Sequence, residues 1–310
     1  MSMNVQEIIL TPLVWHPQSA AEAWLLKQSY GLEGVYISGG TLLRTQWESG
    51  ISAVPKHLID LSAIRGLNEV KIGESDVIIG GQVSLQACRT NAFLRRNFPL
   101  FTDALRVIAA PSIRHLATVG GNVSSMIGDS IPALLAYDAE VIWYNGLIEQ
   151  QVPLSDYLLL TNDPNQGNER LLLSIILPFT KLMEESSVCK DEEDSAISKI
   201  KRFGAYHKVG RREAFTPSIV TAAINGAISP TGVLTELRIA LGGGQMVPQR
   251  LEPLEEEIVG TAVDNKLLQR VYDRILQVYE PREDLFATAS YRKITAANVI
   301  TAELWKAARD

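Results

Sequence analysis

Two short stretches hold the residues best suited to chemistry. One is Ala117-Thr118-Val119-Gly120-Gly121-Asn122-Val123-Ser124-Ser125, followed closely by Gly128-Asp129-Ser130. The other is Tyr36-Ile37-Ser38-Gly39-Gly40-Thr41. Each sets adjacent glycines among β-branched or apolar residues and short hydroxyl or amide side chains. Without a Cβ the chain can turn sharply and its backbone can lie close to a ligand. Backbone N–H groups exposed at such a turn form a concave set of donors suited to a phosphate or pyrophosphate. A single Gly-Gly pair is most often only a tight turn. Two pairs, each after an apolar run and each with a threonine, point to two loops closing on one dinucleotide. Asp129 also has a plain reading, as the cap of a helix entered at Pro132. Gly242-Gly243-Gly244 reads as a turn.

Strands and helices must present those loops. Residues 19–30 read as a helix with Ser19 as N-cap, Glu22 completing a capping box and Gly31 ending it. Gly34 to Ile37 then reads as the strand that delivers the first loop, and His57 to Leu61 as another. Val70 to Ile72 and Val77 to Ile79 form a hairpin. Residues 84–96, capped by Ser84, Phe101 to Ile108, and Ile131 to Ala136 read as helices. Glu140 to Tyr144 and Gln150 to Val152 pair around Asn145-Gly146, and Leu171 to Leu177 is a strand stopped by Pro178. Glu184, Glu185, Asp191, Glu192, Glu193 and Asp194 mark an exposed acidic linker. Beyond it, Pro217 to Ile228 and Leu234 to Leu241 are strand-like, and residues 252–260, 264–278 and Ala296 to Ala308 are helical. Strands and helices interleave on both sides of the linker, which makes the chain α+β.

Composition removes several function classes. The chain has 310 residues, 46% of them hydrophobic, and a formal net charge of -6. That length fits two domains, and an acidic chain is a poor partner for nucleic acid. Its two cysteines, Cys88 and Cys189, cannot supply four thiolates for an iron–sulfur cluster and form no zinc motif. The first residues lack a basic n-region, and no apolar run nears the ~20 residues of a membrane span. The expectation is therefore a cytoplasmic protein with free thiols. GxGxxG after a strand, GxxxxGK[ST], HExxH and GxSxG are all missing. His16, His57, His115 and His207 are scattered, so neither a metal site nor a catalytic residue is assigned. Trp15, Trp47 and Trp143 look exposed and compatible with a partner surface.

Nearly end to end, the chain resembles the flavin-binding medium subunits of molybdenum hydroxylases, the group of xanthine dehydrogenase and aerobic carbon monoxide dehydrogenase. The resemblance rests on Ser38-Gly39-Gly40-Thr41, His57-Leu58-Ile59-Asp60-Leu61, Ile78-Ile79-Gly80-Gly81 and Arg114-His115-Leu116-Ala117-Thr118-Val119-Gly120-Gly121-Asn122. It continues through Gly128-Asp129, Pro132 to Ala136, Asp138 to Val141, Ala205-Tyr206-His207-Lys208-Val209-Gly210-Arg211-Arg212 and Tyr291-Arg292-Lys293. It implies an FAD-binding domain of the vanillyl-alcohol-oxidase type, with two α/β subdomains, over residues 1–180. An acidic linker over 181–198 and a smaller α+β C-terminal domain over 199–310 would follow.

The resemblance also implies roles. Ile37, Ser38, Gly39, Gly40, Thr41, Leu42 and Leu43, with Thr118, Val119, Gly120, Gly121 and Asn122, would give backbone N–H and hydroxyl bonds to the FAD diphosphate. Asp129 would accept from a sugar or ribityl hydroxyl. Lys208 would approach the flavin ring, although Lys199, Lys201 and Arg202 stand near enough to serve instead. Ile108 and Leu173 would line the cofactor pocket, and either reads equally well as a core residue. The implied function is the flavoprotein subunit of a hydroxylase whose partners hold molybdopterin and two [2Fe–2S] clusters. Electrons would pass through FAD to NAD+, quinone or oxygen. The alternatives are a standalone FAD-dependent oxidoreductase of the same fold, or a non-catalytic assembly subunit that has lost FAD.

Overall fold

The computed structural model describes residues 11–161, 170–179, 200–212, 217–244 and 246–309. The proposed linker, 181–198, lies outside them, as do Lys199 and Cys189. A first lobe contains β1 (Leu13–Trp15), α1 (Ala20–Tyr30), β2 (Gly34–Ile37), α2 (Thr41–Glu48) and β3 (His57–Asp60). Its strands are parallel in the order β1-β3-β2. Ser19 caps α1 as expected, accepting from Glu22 N at 3.2 Å. The reciprocal bond is displaced by one residue: Glu22 Oε2 accepts from Gln18 N. Gly31, at φ +51, ends the helix.

A second lobe follows with β4 (Val70–Ile72), β5 (Asp76–Gly80), α3 (Leu85–Thr90), α4 (Ala92–Asn97), α5 (Pro99–Arg106), α6 (Pro111–Leu116), α7 (Val119–Ser124) and α8 (Ile131–Leu135). It is completed by β6 (Glu140–Tyr144), β7 (Glu149–Pro153), α9 (Leu154–Thr161) and β8 (Leu171–Pro178). The five strands form an antiparallel sheet in the order β4-β5-β8-β6-β7. Central β8 is buried along Leu171 to Leu177 because both its faces are covered. Leu171 and Leu173 join Ala23, Ile59 and Leu61 of the first lobe in one core, while Leu172, Ile175 and Leu177 face the helices. The helix expected over 84–96 is two helices. Asn91 is extended (φ -64, ψ 121) and its own side chain accepts from Leu94 N, so it ends α3 and starts α4. Trp143 lies in the core, only 7% exposed, under the Arg170 guanidinium. Trp15 is partly buried and stacks on Tyr30. Neither is an open partner surface.

The third unit has β9 (Lys201–Gly210), β10 (Ser218–Ile228), β11 (Leu234–Gly243), β12 (Met246–Arg250), α10 (Glu252–Ile258), α11 (Asn265–Val278) and α12 (Ala289–Ala307). Its strands form an antiparallel meander in the order β12-β11-β10-β9, and a core of side chains from the sheet and the three helices unites them. Helix α12 starts seven residues earlier than the sequence suggests, because Thr288 caps it by accepting from Tyr291 N. The sheet also meets the second lobe. Leu100, Ala104, Ala133 and Ala136 pack on Ala223 of β10, and Asn225 Nδ2 donates to Ala136 O. Small side chains let α8 lie close against the sheet. The Asp138 carboxylate accepts from Arg238 Nε at 2.8 Å and also pairs with Arg250. Among the described residues no helix is long and apolar enough to cross a membrane.

Candidate cofactor site

The segments that carry the two glycine pairs arrive from different lobes and touch. A β-carbon on Gly39 would overlap the Leu116 carbonyl, so the first loop runs directly against the chain entering the second. Gln82 Nε2 donates to Ser38 Oγ at 2.6 Å and adds a side-chain tie between the lobes. Gly40 has φ +64, the left-handed region that favours glycine, and serves as N-cap of α2. No side chain caps this helix. Among the described residues no protein acceptor meets the backbone N–H groups of Thr41, Leu42 or Leu43. An uncapped first turn offers both free donors and the positive end of the helix dipole to an anion. Ile37, the last residue of β2, packs its Cδ1 near Gly40 and fixes the bend from beneath.

The second loop works differently from the first. Its glycines are the first turn of α7 rather than a free turn, and neither has a positive φ. Val119 N donates to Val83 O and Gly120 N to Gly81 O, both at 3.0 Å. Gly121 N donates to Thr118 Oγ1, the helix cap, and Asn122 N to Thr118 O. These donors are therefore occupied within the protein. What the loop offers is close approach. A β-carbon on Gly120 would strike the Gly81 backbone, whereas one on Gly121 would meet only Thr118 Oγ1 at 3.1 Å, with nothing else near. Gly120 faces the fold and Gly121 faces open space. Asn122 Oδ1 accepts from Ser130 Oγ at 2.6 Å and closes the segment that follows.

The structure brings Asp129 and Lys208 together at the junction with the third unit. Lys208 Nζ lies 2.8 Å from Asp129 Oδ2, and its side chain is only 3% exposed. Lys208 also donates to Val107 O. Ser218 Oγ donates to Asp129 Oδ1 at 2.6 Å, and Tyr206 OH donates to Asp129 O at 2.6 Å. Burial, with the Asp129 charge behind it, pushes the Tyr206 hydroxyl well above the usual tyrosine range, so it stays a donor. A carboxylate has about four lone-pair sites. Two are engaged here, which leaves capacity for a ligand hydroxyl. The rival cations go elsewhere: Lys201 Nζ donates to Ala307 O, and Arg202 pairs with Glu236.

Ile108 and Leu173 are buried, 8% and 6% exposed, in different cores. Arg114 fixes the segment carrying Ile108, donating to Ile108 O at 2.8 Å and Ala109 O at 2.7 Å. Leu173 O accepts from Gly81 N. The sequence reading missed Gln82, Tyr206 and Ser218. Tyr206 sits inside a quoted motif, but no local signal ties Gln82 to Ser38 across 44 positions.

The residues fit a dinucleotide diphosphate on these observations: free donors at the start of α2, and an open face at Gly121 of the second loop. Comparison with known proteins gives the family. Residues 5–180 match the family described as the FAD binding domain in molybdopterin dehydrogenase. Residues 204–307 match the CO dehydrogenase flavoprotein C-terminal domain. The carbon monoxide dehydrogenase medium chain of Hydrogenophaga pseudoflava is 25% identical over 287 residues, 92% of either chain. The nicotinate dehydrogenase FAD-subunit of Eubacterium barkeri is 24% identical over 260 residues, covering 82% of this chain and 81% of that one. Among solved structures, reconstituted CO dehydrogenase from Oligotropha carboxidovorans superposes with a TM-score of 0.82 at 24% identity, covering 96% of this chain and 98% of the other.

Proposed function

The chain belongs to the family that carries the FAD binding domain of molybdopterin dehydrogenases, and we propose that it is the flavoprotein subunit of such a complex. In this reading it takes electrons from [2Fe–2S] clusters on a small partner chain, downstream of a large molybdopterin-binding chain. It passes them to NAD+, a quinone or oxygen. Bound FAD supplies one-electron input and two-electron output. The observation that carries the reading is the apposition of the two glycine loops, Gly39 against Leu116, where the first loop leaves the N–H groups of α2 free and the second leaves Gly121 open.

The roles of the chain's own residues follow. Thr41, Leu42 and Leu43 donate their backbone N–H groups to the diphosphate, with Ile37, Ser38, Gly39 and Gly40 setting the turn. Thr118 to Asn122 form the opposite wall, which admits the diphosphate because Gly121 has no side chain. Asp129 offers its remaining lone pairs to a sugar or ribityl hydroxyl, and its hold on Lys208 keeps a cation near the segment of Ile108. Ile108 and Leu173 back the pocket from within the cores. Residues 1–180 hold the cofactor, 181–198 link, and 199–310 form the C-terminal domain.

Purification from the native host tests this. The chain is expected to be yellow, with absorption near ~370 and ~450 nm, and to bring down a molybdopterin-type chain and a small cysteine-rich chain. A colourless chain that takes up no added FAD refutes the cofactor role. A yellow chain that turns over a substrate alone, with no partners, replaces the subunit reading with a self-contained oxidoreductase.

A further inference from the structure

A surface pocket of about 250 Å³ lies where α3, α4 and α5 meet, lined by Arg89, Thr90, Arg95, Thr102, Asp103 and Arg106. None of these residues belongs to the glycine loops or the Asp129–Lys208 pair. The charge is unusual for this chain. Its formal net charge is -6, yet residues 85–116 hold Arg89, Arg95, Arg96, Arg106 and Arg114 against one carboxylate, Asp103. Among the described residues, Arg89 and Arg95 have no ion-pair partner. The crowding of positive charge is felt nearby: burial and then the Arg89 charge hold the Arg114 guanidinium below the ordinary arginine range. Arg114 itself is spent on backbone carbonyls and Gln86.

Arg89 and Arg95, neither with an ion-pair partner among the described residues, line one concavity and form a recognisable chemical pattern. Each presents planar, paired N–H donors that match two oxygens of a phosphoryl group. The floor adds little competing recognition. Thr90 Oγ1 donates to Gln86 O and Thr102 Oγ1 to Pro99 O, so both hydroxyl protons are already committed. With Arg106 the lining holds three arginines to one aspartate, a composition that favours an anion such as a phosphoryl group. We propose that this pocket binds the phosphoryl group of a small phosphorylated ligand, at an anion site separate from the glycine loops and independent of the reading given for them.

Calorimetric titration of the purified chain with inorganic phosphate, against chloride at equal ionic strength, tests the proposal. A saturable, one-to-one phosphate isotherm is expected. Arg89→Gln and Arg95→Gln should each weaken it by about tenfold, the scale of one lost charge-assisted hydrogen bond. Arg96→Gln, which alters a neighbouring arginine outside the lining, should leave it unchanged. Flavin absorbance measured on every variant should stay at the wild-type level, which keeps this result apart from that of the glycine loops. A second arm with ADP separates the sources: competition with phosphate that is lost in Arg89→Gln identifies a nucleotide phosphoryl, and failure to compete leaves the free phosphate. Arg95 is exposed, so its variant decides the matter even where Arg89→Gln fails to fold. Equal affinity in wild type and Arg95→Gln, or phosphate binding no tighter than chloride, overturns the proposal.

Discussion

Exchanging Gly120 and Gly121 separately should split folding from flavin binding. A β-carbon on Gly120 would lie 2.5 Å from Gly81 O and 2.8 Å from Gly81 Cα, while ordinary contact begins at 3.4 Å. The α7 backbone must then retreat by about 0.9 Å, the difference between those figures, weakening the bonds from Gly120 N to Gly81 O and from Val119 N to Val83 O. Overpacking of this kind costs about 1–3 kcal/mol, or roughly 2–12 °C in Tm for a protein of this size. Gly121→Ala meets only Thr118 Oγ1 at 3.1 Å, which must give by a few tenths of an ångström. Against that stands a helix-propensity gain of up to ~1 kcal/mol, so Tm should hardly move. Gly121→Val then fills the open face and should push the diphosphate off the α2 donors. Losing one charge-assisted bond, about 1.5–3 kcal/mol, weakens binding by roughly ten- to 150-fold. Differential scanning fluorimetry of the apo chains and flavin fluorescence titration read the two effects. A Gly121→Val chain that holds FAD as wild type does refutes the placement of the diphosphate, and a Gly120→Ala chain as stable as wild type refutes the packing argument.

Asp129→Asn leaves the buried Lys208 ammonium without its counter-charge and should destabilise the chain by about 3–5 kcal/mol in urea denaturation; Asp129→Asn with Lys208→Met should recover part of that loss. Cys88 is buried and its thiol is pushed up to about 12 by desolvation, so in a Cys189→Ser background it should resist thiol reagents at pH 8 until the chain unfolds. Burial alone would raise the Asp284 carboxyl, but hydrogen bonds from Phe286 N and Ala287 N and the Arg292 guanidinium hold it below its ordinary range. That depressed group contributes stability above its unfolded pKa of about 3.9, a contribution lost as pH falls through the lower folded value. Asp284→Asn should therefore flatten the acid limb of a Tm–pH curve.

Local chemistry was legible in the sequence and long-range chemistry was not. Ser19, Ser84 and Gly31 sit where capping rules place them. The hairpin strands pair as alternation and turn residues suggest. Asn91 was misread because a residue that can both end and begin a helix looks the same as one inside it. The start of α12 was missed because Arg292, a charged residue, is wholly buried, a consequence of its bonds to Ile219 O and Asp284. The glycine pairs stood out by composition, but the division of labour between them did not. That division depends on Val83 and Gly81, well over thirty positions upstream, accepting the donors of α7. Helix α2 went unseen although Arg44 and Glu48 pair one turn apart along it.

The meeting of Gly39 with Leu116 has a mechanical consequence. On the proposed placement of the diphosphate, a grip assembled from two separately built halves exists only while the halves are seated on each other. The ligand therefore works as a clasp, and by mass action its occupancy shifts the whole chain toward the seated arrangement. Any strain that parts the halves, from heat, from denaturant or from a badly matched neighbour, loosens the coenzyme before either half has melted.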